Sequence, residues 1–271
     1  HYPDVFICAL LNAQPMGFYS PSQLVAEAKR SGIQVRPVDV GHSTWDSTLE
    51  PDPQNRRGHH ALRLGLRLVK GLPRGEGERI AASRQQQEGR PAFDSLADIM
   101  RRADVSANAL QAIAAADGFA SMRVDRRQAQ WQVRALARQC LHEMPLFAQA
   151  GRRHDSVAGT EPAVSLPSAS GGEEVAADYR SLGLSLKAHP ITMLAPSLQA
   201  AGWQSCAVAH DVRDETRLRL AGLVTMRQRP GTASGTVFLT VEDDIHALNV
   251  IIWPKSVSYT HLRAHETVAN L

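Results

Sequence analysis

The chain has 271 residues, of which 43% are hydrophobic and 21% charged, and its formal net charge is +3 at pH 7. This composition indicates a globular protein with one large domain or two to three small ones, and it excludes a membrane-spanning class because no apolar run is long enough. We expect no signal peptide, and the start at His1 instead of Met indicates a fragment. The three cysteines, Cys8, Cys140 and Cys206, favour reduced, buried thiols in a cytoplasmic protein over disulfides or a zinc site.

Positive charge is concentrated in the middle of the chain. Residues 56–140 hold sixteen basic and eight acidic residues, a net charge of +8, whereas residues 1–55 carry −3 and residues 141–271 carry −2. A basic segment between acidic flanks predicts contact with a polyanion. The alternative is an ordinary solvated helical surface.

The first elements follow from capping signals. A helix is predicted to begin after Ser20, with Pro21 in its first turn, and to end at Gly32. The stretch "IQVRPVDV" follows as a short strand that is interrupted by Pro37.

Residues 61–69, "ALRLGLRLV", place a leucine at every second position. Strict alternation predicts a half-buried strand, with Arg63 and Arg67 on its basic outer side.

A glycine-rich hairpin comes next, in "VKGLPRGEGERI". Glycines allow the backbone to approach a phosphate, and the free N–H groups at a helix start point towards it. The stretch lacks the Lys-Ser/Thr ending of a P-loop and does not complete a dinucleotide fingerprint. We therefore predict a helix-hairpin-helix that holds a nucleic-acid backbone without reading its sequence, or alternatively a plain turn. The predicted contacts are Lys70, Gly71, Arg74, Gly75 and Gly77.

Three further helices are predicted before residue 140. The first is capped by Ser95 or Asp94, and the second runs from a cap at Ser106 to a stop at Gly118. The third, "VDRRQAQWQVRALARQ", is basic on one side, and its Arg126 and Arg127 are assigned to the duplex contact. Residues 150–175 are predicted to form a linker, and "EEVAADYRSLGLSLKAHPITML" a helical connector.

From Arg217 the hydrophobic period changes to two, which predicts an antiparallel β meander. The residues predicted to point inward are Leu218, Leu220, Val224, Met226, Val237, Leu239, Val241, Leu248, Val250 and Ile252. The outer face then combines arginines, threonines and aromatic rings, as in an oligonucleotide-binding (OB) barrel. The residues predicted to bind single-stranded DNA are Arg217, Arg219, Arg227, Arg229, Phe238 and Trp253, and Thr236 and Thr240 share their face. In the alternative, another domain covers the aromatic rings and the arginines are merely solvated.

Catalytic groups are sparse. A polymerase or nuclease holds two metal ions with closely spaced carboxylates, but the one acidic triplet, residues 242–244, is interpreted as a turn cap. The pair His59 and His60 has no obvious third ligand, and no metal site is expected.

Five stretches then carry a resemblance to a known family: "YPDVFICALLNAQPMGFYSPSQLV", "GLRLVKGL", "FASMRVDRRQAQWQVRAL", "DYRSLGLSLKAHP" and "VTMRQRPGTASGTVFLTVEDD". Together, over residues 1–255, they resemble the C-terminal half of bacterial error-prone DNA polymerases, the C-family paralogues of the replicative polymerase III alpha subunit. The replicative subunit is the nearest alternative, and "LLNAQPMGFY" and "RQRPGTASG" favour the error-prone type.

The resemblance implies a multi-domain α+β fold, with a mainly helical part followed by a truncated OB-type barrel. Its segments would be the end of the fingers domain, tandem helix-hairpin-helix motifs, a linker with a connector helix, a partial OB domain and a non-native tail, at residues 1–70, 71–150, 151–210, 211–255 and 256–271. The tail resembles translated sequencing-adapter read-through, so His261, His265 and Glu266 carry no weight.

The resemblance also implies a DNA-directed DNA polymerase of damage-induced translesion synthesis and repair, located in the cytoplasm. The full enzyme would use deoxynucleotides, primed or damaged DNA and Mg²⁺ held by palm carboxylates upstream, so this chain alone is expected to be inactive. The stretch "QCLHEMPLF" lies where the alpha subunit contacts its sliding clamp, which makes Met144, Leu146 and Phe147 a possible clamp contact. The alternatives are a helper protein that reaches the clamp, and an amphipathic helix end that packs on its own domain.

Two other functions stay open from the residues themselves. One is a non-catalytic DNA-binding repair scaffold built from the same hairpin and barrel. The other is an RNA-binding barrel attached to a tRNA-handling enzyme.

Overall fold

The structure, a computed structural model, describes residues 2–16, 19–55, 57–84, 92–142, 167, 169–213, 215–244 and 246–254. The clamp residues Met144, Leu146 and Phe147 and the tail residues His261, His265 and Glu266 lie outside this part, and so does the side chain of Cys140. The chain divides into two compact units, His1–Leu186 and Lys187–Leu271, which are described separately. In the residues described, no helix combines the length and apolarity needed to cross a membrane.

The described part of the first unit is mainly helical. Its helices are α1 (Pro3–Asn12), α2 (Pro21–Arg30), α3 (Arg74–Ala82), α4 (Leu96–Ala103), α5 (Ala107–Ala115), α6 (Arg126–His142) and α7 (Gly171–Ser181). The prediction for α2 is confirmed: Ser20 and Gln23 form a capping box, and Gly32 adopts a left-handed backbone with φ +78° just after the helix.

A small mixed sheet accompanies these helices. Its strands are β1 (Val35–Arg36), β2 (Thr48–Glu50) and β3 (Ala61–Arg63), in the order β1-β3-β2, with β3 parallel to β1 and antiparallel to β2. The predicted strand over residues 61–69 is wrong beyond Arg63, because Leu66–Leu68 form a 3-10 helix. Gly65, just before this 3-10 helix, passes close to the backbone of Asp46. A Cβ at this position would lie 2.4 Å from the carbonyl carbon of Asp46, so only glycine fits there.

The basic outer side of that predicted strand is also absent. Arg63 is buried, and its Nε lies 2.8 Å from Glu50 Oε1. Arg67 is partly buried, with Nη1 2.7 Å from Asp46 Oδ1. Both arginines therefore hold the sheet and its loops together instead of facing solvent.

Helices α3 to α6 enclose one hydrophobic core. Its fully buried side chains include Ile80, Ile99, Leu110, Ile113 and Phe119. Burial of each such side chain contributes about 1.5–3 kcal/mol.

The predicted caps of two of these helices are confirmed. The hydroxyl of Ser95 accepts the N–H of Asp98 at the start of α4, and the hydroxyl of Ser106 accepts that of Ala109 at the start of α5. The stop of α5 differs from the prediction, because Asp117 (φ +59°) adopts the left-handed conformation. Gly118 instead allows close packing against Ile113, because a Cβ on residue 118 would lie only 2.7 Å from Ile113 Cγ2.

The predicted linker over residues 150–175 is wrong at its end, because α7 begins at Gly171. Ser170 and Glu173 form a capping box that starts this helix. The stretch predicted as a helical connector is helical only at its two ends, in α7 and in α8 (Pro190–Ala200), because residues 182–189 between them are not helical.

The second unit contains α8, the short α9 (Val208–Asp211) and a sheet of three antiparallel strands. These strands are β4 (Leu223–Gln228), β5 (Val237–Glu242) and β6 (Ala247–Ile252). Val237, Leu239 and Val241 are buried as predicted, and they pack with Cys206. Within the residues described here, the sheet is open and forms no closed barrel, so the chain as described is α+β.

The predicted start and alternation of the first strand are partly wrong. The sheet begins at Leu223, and upstream of it Leu220 forms only an isolated bridge with Gln204.

A register shift between Val224 and Met226 then exchanges the faces of β4. Met226 lies opposite Thr240 and Arg227 opposite Leu239, which is the reverse of the prediction. Thr236, predicted to lie outside, is buried.

Candidate nucleic-acid interface

The first hairpin, residues 69–77, joins the 3-10 helix to α3. Leu72 is buried and anchors it, whereas Lys70, Gly71, Arg74 and Gly75 are exposed. Gly71 has φ +81°, and a Cβ there would meet no atom within 4 Å. Glycine is therefore favoured at this position by its left-handed backbone and not by lack of space. Helix α7 supports the hairpin, because the N–H of Lys70 donates to the carbonyl of Ser181 (2.9 Å).

The start of α3 has no side-chain cap. Its N-cap residue is Pro73, which offers no side-chain acceptor, and the N–H groups of Arg74 and Gly75 have no acceptor among the described residues. The other three helices of this region are capped, α4 by Ser95, α5 by Ser106 and α6 by the carboxylate of Asp125 (2.8 Å from Gln128 N). Of α3 to α6, the helix start that follows the glycine hairpin is thus the one open to an external anion.

The charges around this helix start favour an anion. The side chain of Arg74 is 72% exposed, and its hydrogen bond to Glu78 raises the pKa of the guanidinium, so it is charged at every physiological pH. Glu76, in the first turn, turns its carboxylate to the N–H of Ser106 (2.7 Å). Lys70 donates from Nζ to the carbonyl of Tyr179 (3.1 Å) and remains exposed.

The two glycines of α3 have different surroundings. A Cβ on Gly77 would lie 2.7 Å from Trp45 Cε3, whereas a Cβ on Gly75 would meet only the end of the Arg79 side chain, at 3.7 Å. Gly77 therefore serves internal packing, and Gly75 leaves the exposed helix start free for close approach.

Arg126 does not share the exposed surface predicted for it. Its side chain is 5% exposed and lies beside the carboxylates of Asp178, Glu174 (3.3 Å) and Asp117 (3.9 Å). A DNA phosphate has no access to a guanidinium buried in this way. Arg127 is partly exposed and pairs with Glu173 at 3.1 Å.

On the second unit, the outer face of the sheet carries exposed apolar side chains. Phe238 is 38% exposed and lies opposite Ile251, and Trp253 is 65% exposed. Beside them, Thr240 and Asn249 form a cross-strand hydrogen bond of 3.0 Å. Four of the predicted contact residues are exposed arginines: Arg217, Arg219, Arg227 and Arg229. Arg227 lies opposite the buried Leu239, so it does not share the face of Phe238. The guanidinium of Arg219 stacks over the ring of Trp203, 5.4 Å from its centroid.

Histidine side chains lie beside carboxylates at several places, including Asp39 and Asp4, without forming a metal site. His60 Nδ1 lies 3.1 Å from Asp4 Oδ2, and His59 Nδ1 lies 3.9 Å from Asp4 Oδ1. Asp243 accepts the N–H groups of Cys206 and His246, so it caps a turn. Across the described ranges, no three His, Cys, Asp or Glu side chains are grouped so that they could hold a metal ion.

Sequence reasoning missed two features of this surface. The missing cap at Pro73 was readable, because proline has no side-chain acceptor. The exposed face of α6, which includes Trp131, was readable from helical spacing.

Comparison with known proteins agrees with the hairpin. A family model described as "Helix-hairpin-helix motif" matches residues 32–129, which include the first hairpin and α3 to α5. The match begins at residue 32, whereas the helix-hairpin-helix region was expected to begin at residue 71.

Curated relatives match nearly the whole chain. An error-prone DNA polymerase of Ralstonia nicotianae is 43% identical over 260 residues, which is 95% of this chain and 23% of the relative. Error-prone DNA polymerase 1 of Agrobacterium fabrum is 46% identical over 262 residues, or 94% of this chain and 23% of the relative. An error-prone DNA polymerase of Brucella abortus is 42% identical over 255 residues, 94% of this chain and 22% of the relative. The chain spans less than a quarter of the length of these relatives, and over nearly all of its own length it is similar to that part of bacterial error-prone DNA polymerases.

Proposed function

We propose that this chain is a DNA-handling segment of an error-prone, DNA-directed DNA polymerase, and that its first hairpin grips the backbone of the primed duplex. One observation carries the proposal. Within a region that matches a helix-hairpin-helix motif, the start of α3 is the uncapped helix start, and it is exposed, glycine-rich and flanked by Lys70 and Arg74.

The hairpin can hold a phosphate without reading a base. The N–H groups of Arg74 and Gly75 donate to phosphate oxygens, and the positive end of the helix dipole adds to the attraction. Lys70 and Arg74 contribute two more positive charges, and Gly71 and Gly75 let the sugar–phosphate backbone come close. Such contacts fix the position of the duplex and are the same for every sequence.

The second unit supplies a surface that suits single-stranded template. Phe238 and Trp253 present rings on which bases can stack, and the exposed Arg217 and Arg229 supply charge for phosphates. Arg227 pairs with Leu239 and so lies on the other face of the sheet. Arg219 is held over Trp203 and contributes less directly. Three antiparallel strands with a bulge in β4 are compatible with part of an OB-type barrel.

The whole polymerase would add deoxynucleotides to a primer by two-metal phosphoryl transfer, in translesion synthesis and repair after DNA damage. Mg²⁺ would be held by carboxylates in another part of that protein, so this segment alone would position DNA without catalysing the reaction. A sliding clamp or an accessory mutagenesis protein would bring the enzyme to its template in the cytoplasm.

Charge reversal in the full-length polymerase tests the hairpin. Each phosphate contact contributes about 0.9 to the slope of log K against log salt concentration, so Lys70→Glu with Arg74→Glu should make the slope for primed DNA shallower by about 2. The matched control is Lys29→Glu with Arg30→Glu, which makes the same charge change on the exposed side of α2. A slope that stays at the parent value in the hairpin variant would refute the proposed grip.

A further inference from the structure

The outer face of α6 carries cationic and aromatic side chains together. Trp131 is 47% exposed, and Arg134 and Arg138 are exposed as well. At 3.6 residues per turn these three side chains fall within roughly a 60° arc, over about 10 Å of helix. We call them the α6 stripe. The opposite side of the helix packs on the core through Ala129, Val133 and Leu136.

The arginines of the α6 stripe are not committed to internal partners. Among the residues that the structure describes, neither Arg134 nor Arg138 forms an ion pair or a side-chain hydrogen bond. By contrast, Arg63, Arg102 and Arg126 each bind a carboxylate. Two unpaired guanidiniums one helical turn apart, beside an exposed indole, form a surface complementary to a polyanion.

The α6 stripe continues from the first hairpin. Lys70 of the hairpin and Arg127 and Gln130 of α6 line one cavity of about 510 Å³. Glu173 and Glu174 also line this cavity and offset its positive charge, so the cavity itself is a poor phosphate site. Because both line this cavity, the hairpin and the start of α6 are neighbours. The α6 stripe begins at Trp131, about one helical turn after Arg127.

We propose that the α6 stripe is a second contact with the same DNA duplex, in which Arg134 and Arg138 bind backbone phosphates next to those held by the first hairpin. The inference rests on the proposed function of the hairpin. Each guanidinium can donate two hydrogen bonds to a phosphate, and the indole N–H of Trp131 can donate one more hydrogen bond. The contact lengthens the bound duplex and, like the hairpin, reads no sequence.

The test uses the full-length polymerase with Arg134→Gln and Arg138→Gln. The salt slope for primed DNA should become shallower by about 2, and affinity should fall equally for unrelated sequences. The control is Arg30→Gln with Arg101→Gln, which removes two exposed arginines that already pair with Glu27 and Asp98. An unchanged slope in the stripe variant, together with a reduced slope in the Lys70/Arg74 variant, overturns the inference and leaves the hairpin proposal standing. If neither variant changes the slope, both proposals fail.

A chemical footprint provides a second readout on the unmutated enzyme. Phenylglyoxal modifies exposed arginines, and peptide mass spectrometry reports the modification of Arg134 and Arg138. Primed DNA should protect both residues several-fold and leave Arg30 unprotected. Equal modification with and without DNA overturns the inference.

Discussion

Arg126 of α6 and Asp178 of α7 form a buried ion pair, with side chains only 5% and 6% exposed. Glu174 adds a second carboxylate, and Ser185 donates a hydrogen bond of 2.7 Å to the other oxygen of Asp178. The pair joins the two helices through residues that are 52 positions apart in sequence. It also separates the roles of adjacent arginines, because Arg126 holds α7 in place whereas Arg127 reaches the surface.

Removal of one partner should therefore destabilise the first unit. Arg126→Gln leaves the carboxylate of Asp178 buried without its cation, which costs about 3–5 kcal/mol. Asp178→Asn should cost less, because Glu174 and Asp117 still lie beside Arg126. Arg127→Gln is the control, since its exposed pair with Glu173 contributes at most about 1 kcal/mol. Urea unfolding measures both, and similar losses for the two positions would contradict the structural role of Arg126.

The two glycines of α3 should respond differently to alanine. Gly77→Ala forces a Cβ against the ring of Trp45 and should cost about 1–3 kcal/mol of stability. Gly75→Ala has space for its Cβ, so it should keep stability or raise it by up to about 1 kcal/mol. The Gly75 variant should nevertheless bind primed DNA more weakly, because its Cβ lies where the phosphate approaches. Unfolding and DNA titration together check the pair, and unaltered affinity in the Gly75 variant would count against that approach.

Acid should weaken the packing of α4. Burial alone would raise the pKa of Asp98, but hydrogen bonds from Arg101, Arg102 and the N–H of Asp94 outweigh it, so the pKa lies below its ordinary value of 3.8. A carboxyl whose pKa is lower in the folded state stabilises the fold above the unfolded pKa and loses this effect as the pH falls. Stability should be level from pH 7 to 5 and fall below about pH 4.

Asp98→Asn should flatten the acid part of that profile. Asp104→Asn is the control, because Asp104 (φ +49°) is a left-handed residue and asparagine also tolerates that conformation. Urea midpoints measured from pH 7 to 2.5 give the profiles, and an Asp98 variant that keeps the full acid dependence would contradict this assignment.

Phe238 should contribute to single-strand binding through its ring. If a base stacks on its ring, Phe238→Ala weakens the affinity for single-stranded DNA by about 1–3 kcal/mol. Ile251→Ala, at the facing position of β6, removes apolar surface but no aromatic ring. Fluorescence anisotropy with labelled oligonucleotides compares the two, and equal effects would show that the ring has no special role.

Local features of the fold were predictable because their causes are local. Ser20, Ser95 and Ser106 cap helices through N–H groups three residues away, and the alternation of Val237, Leu239 and Val241 follows from the strand period. Features that depend on distant partners were not predictable. The sequence around Arg63 does not indicate that this side chain will be buried in an ion pair with Glu50. The sequence around Arg126 likewise does not indicate its ion pair with Asp178. The bulge in β4 was not predicted for a similar reason, because it is determined by the pairing of β4 with β5.

The candidate site divides in the same way. Its hairpin was recognisable because glycines and cations ahead of a helix act through the adjacent backbone. The burial of Arg126, and the support that α7 gives to Lys70, depend on contacts between residues more than 50 positions apart in sequence.

The most direct measurement concerns Pro73, where the absence of a cap leaves the start of α3 open to a phosphate. Pro73 has φ −66° and ψ 139°, a conformation that suits an aspartate cap. Pro73→Asp would place a carboxylate on the N–H groups that we assign to DNA, with Pro73→Ala as the control for loss of the proline. Relative to the alanine variant, the aspartate variant should be more stable by about 0.5–2 kcal/mol and yet bind primed DNA at least tenfold more weakly. Equal DNA affinity in the two variants, with the cap formed, would contradict the central claim.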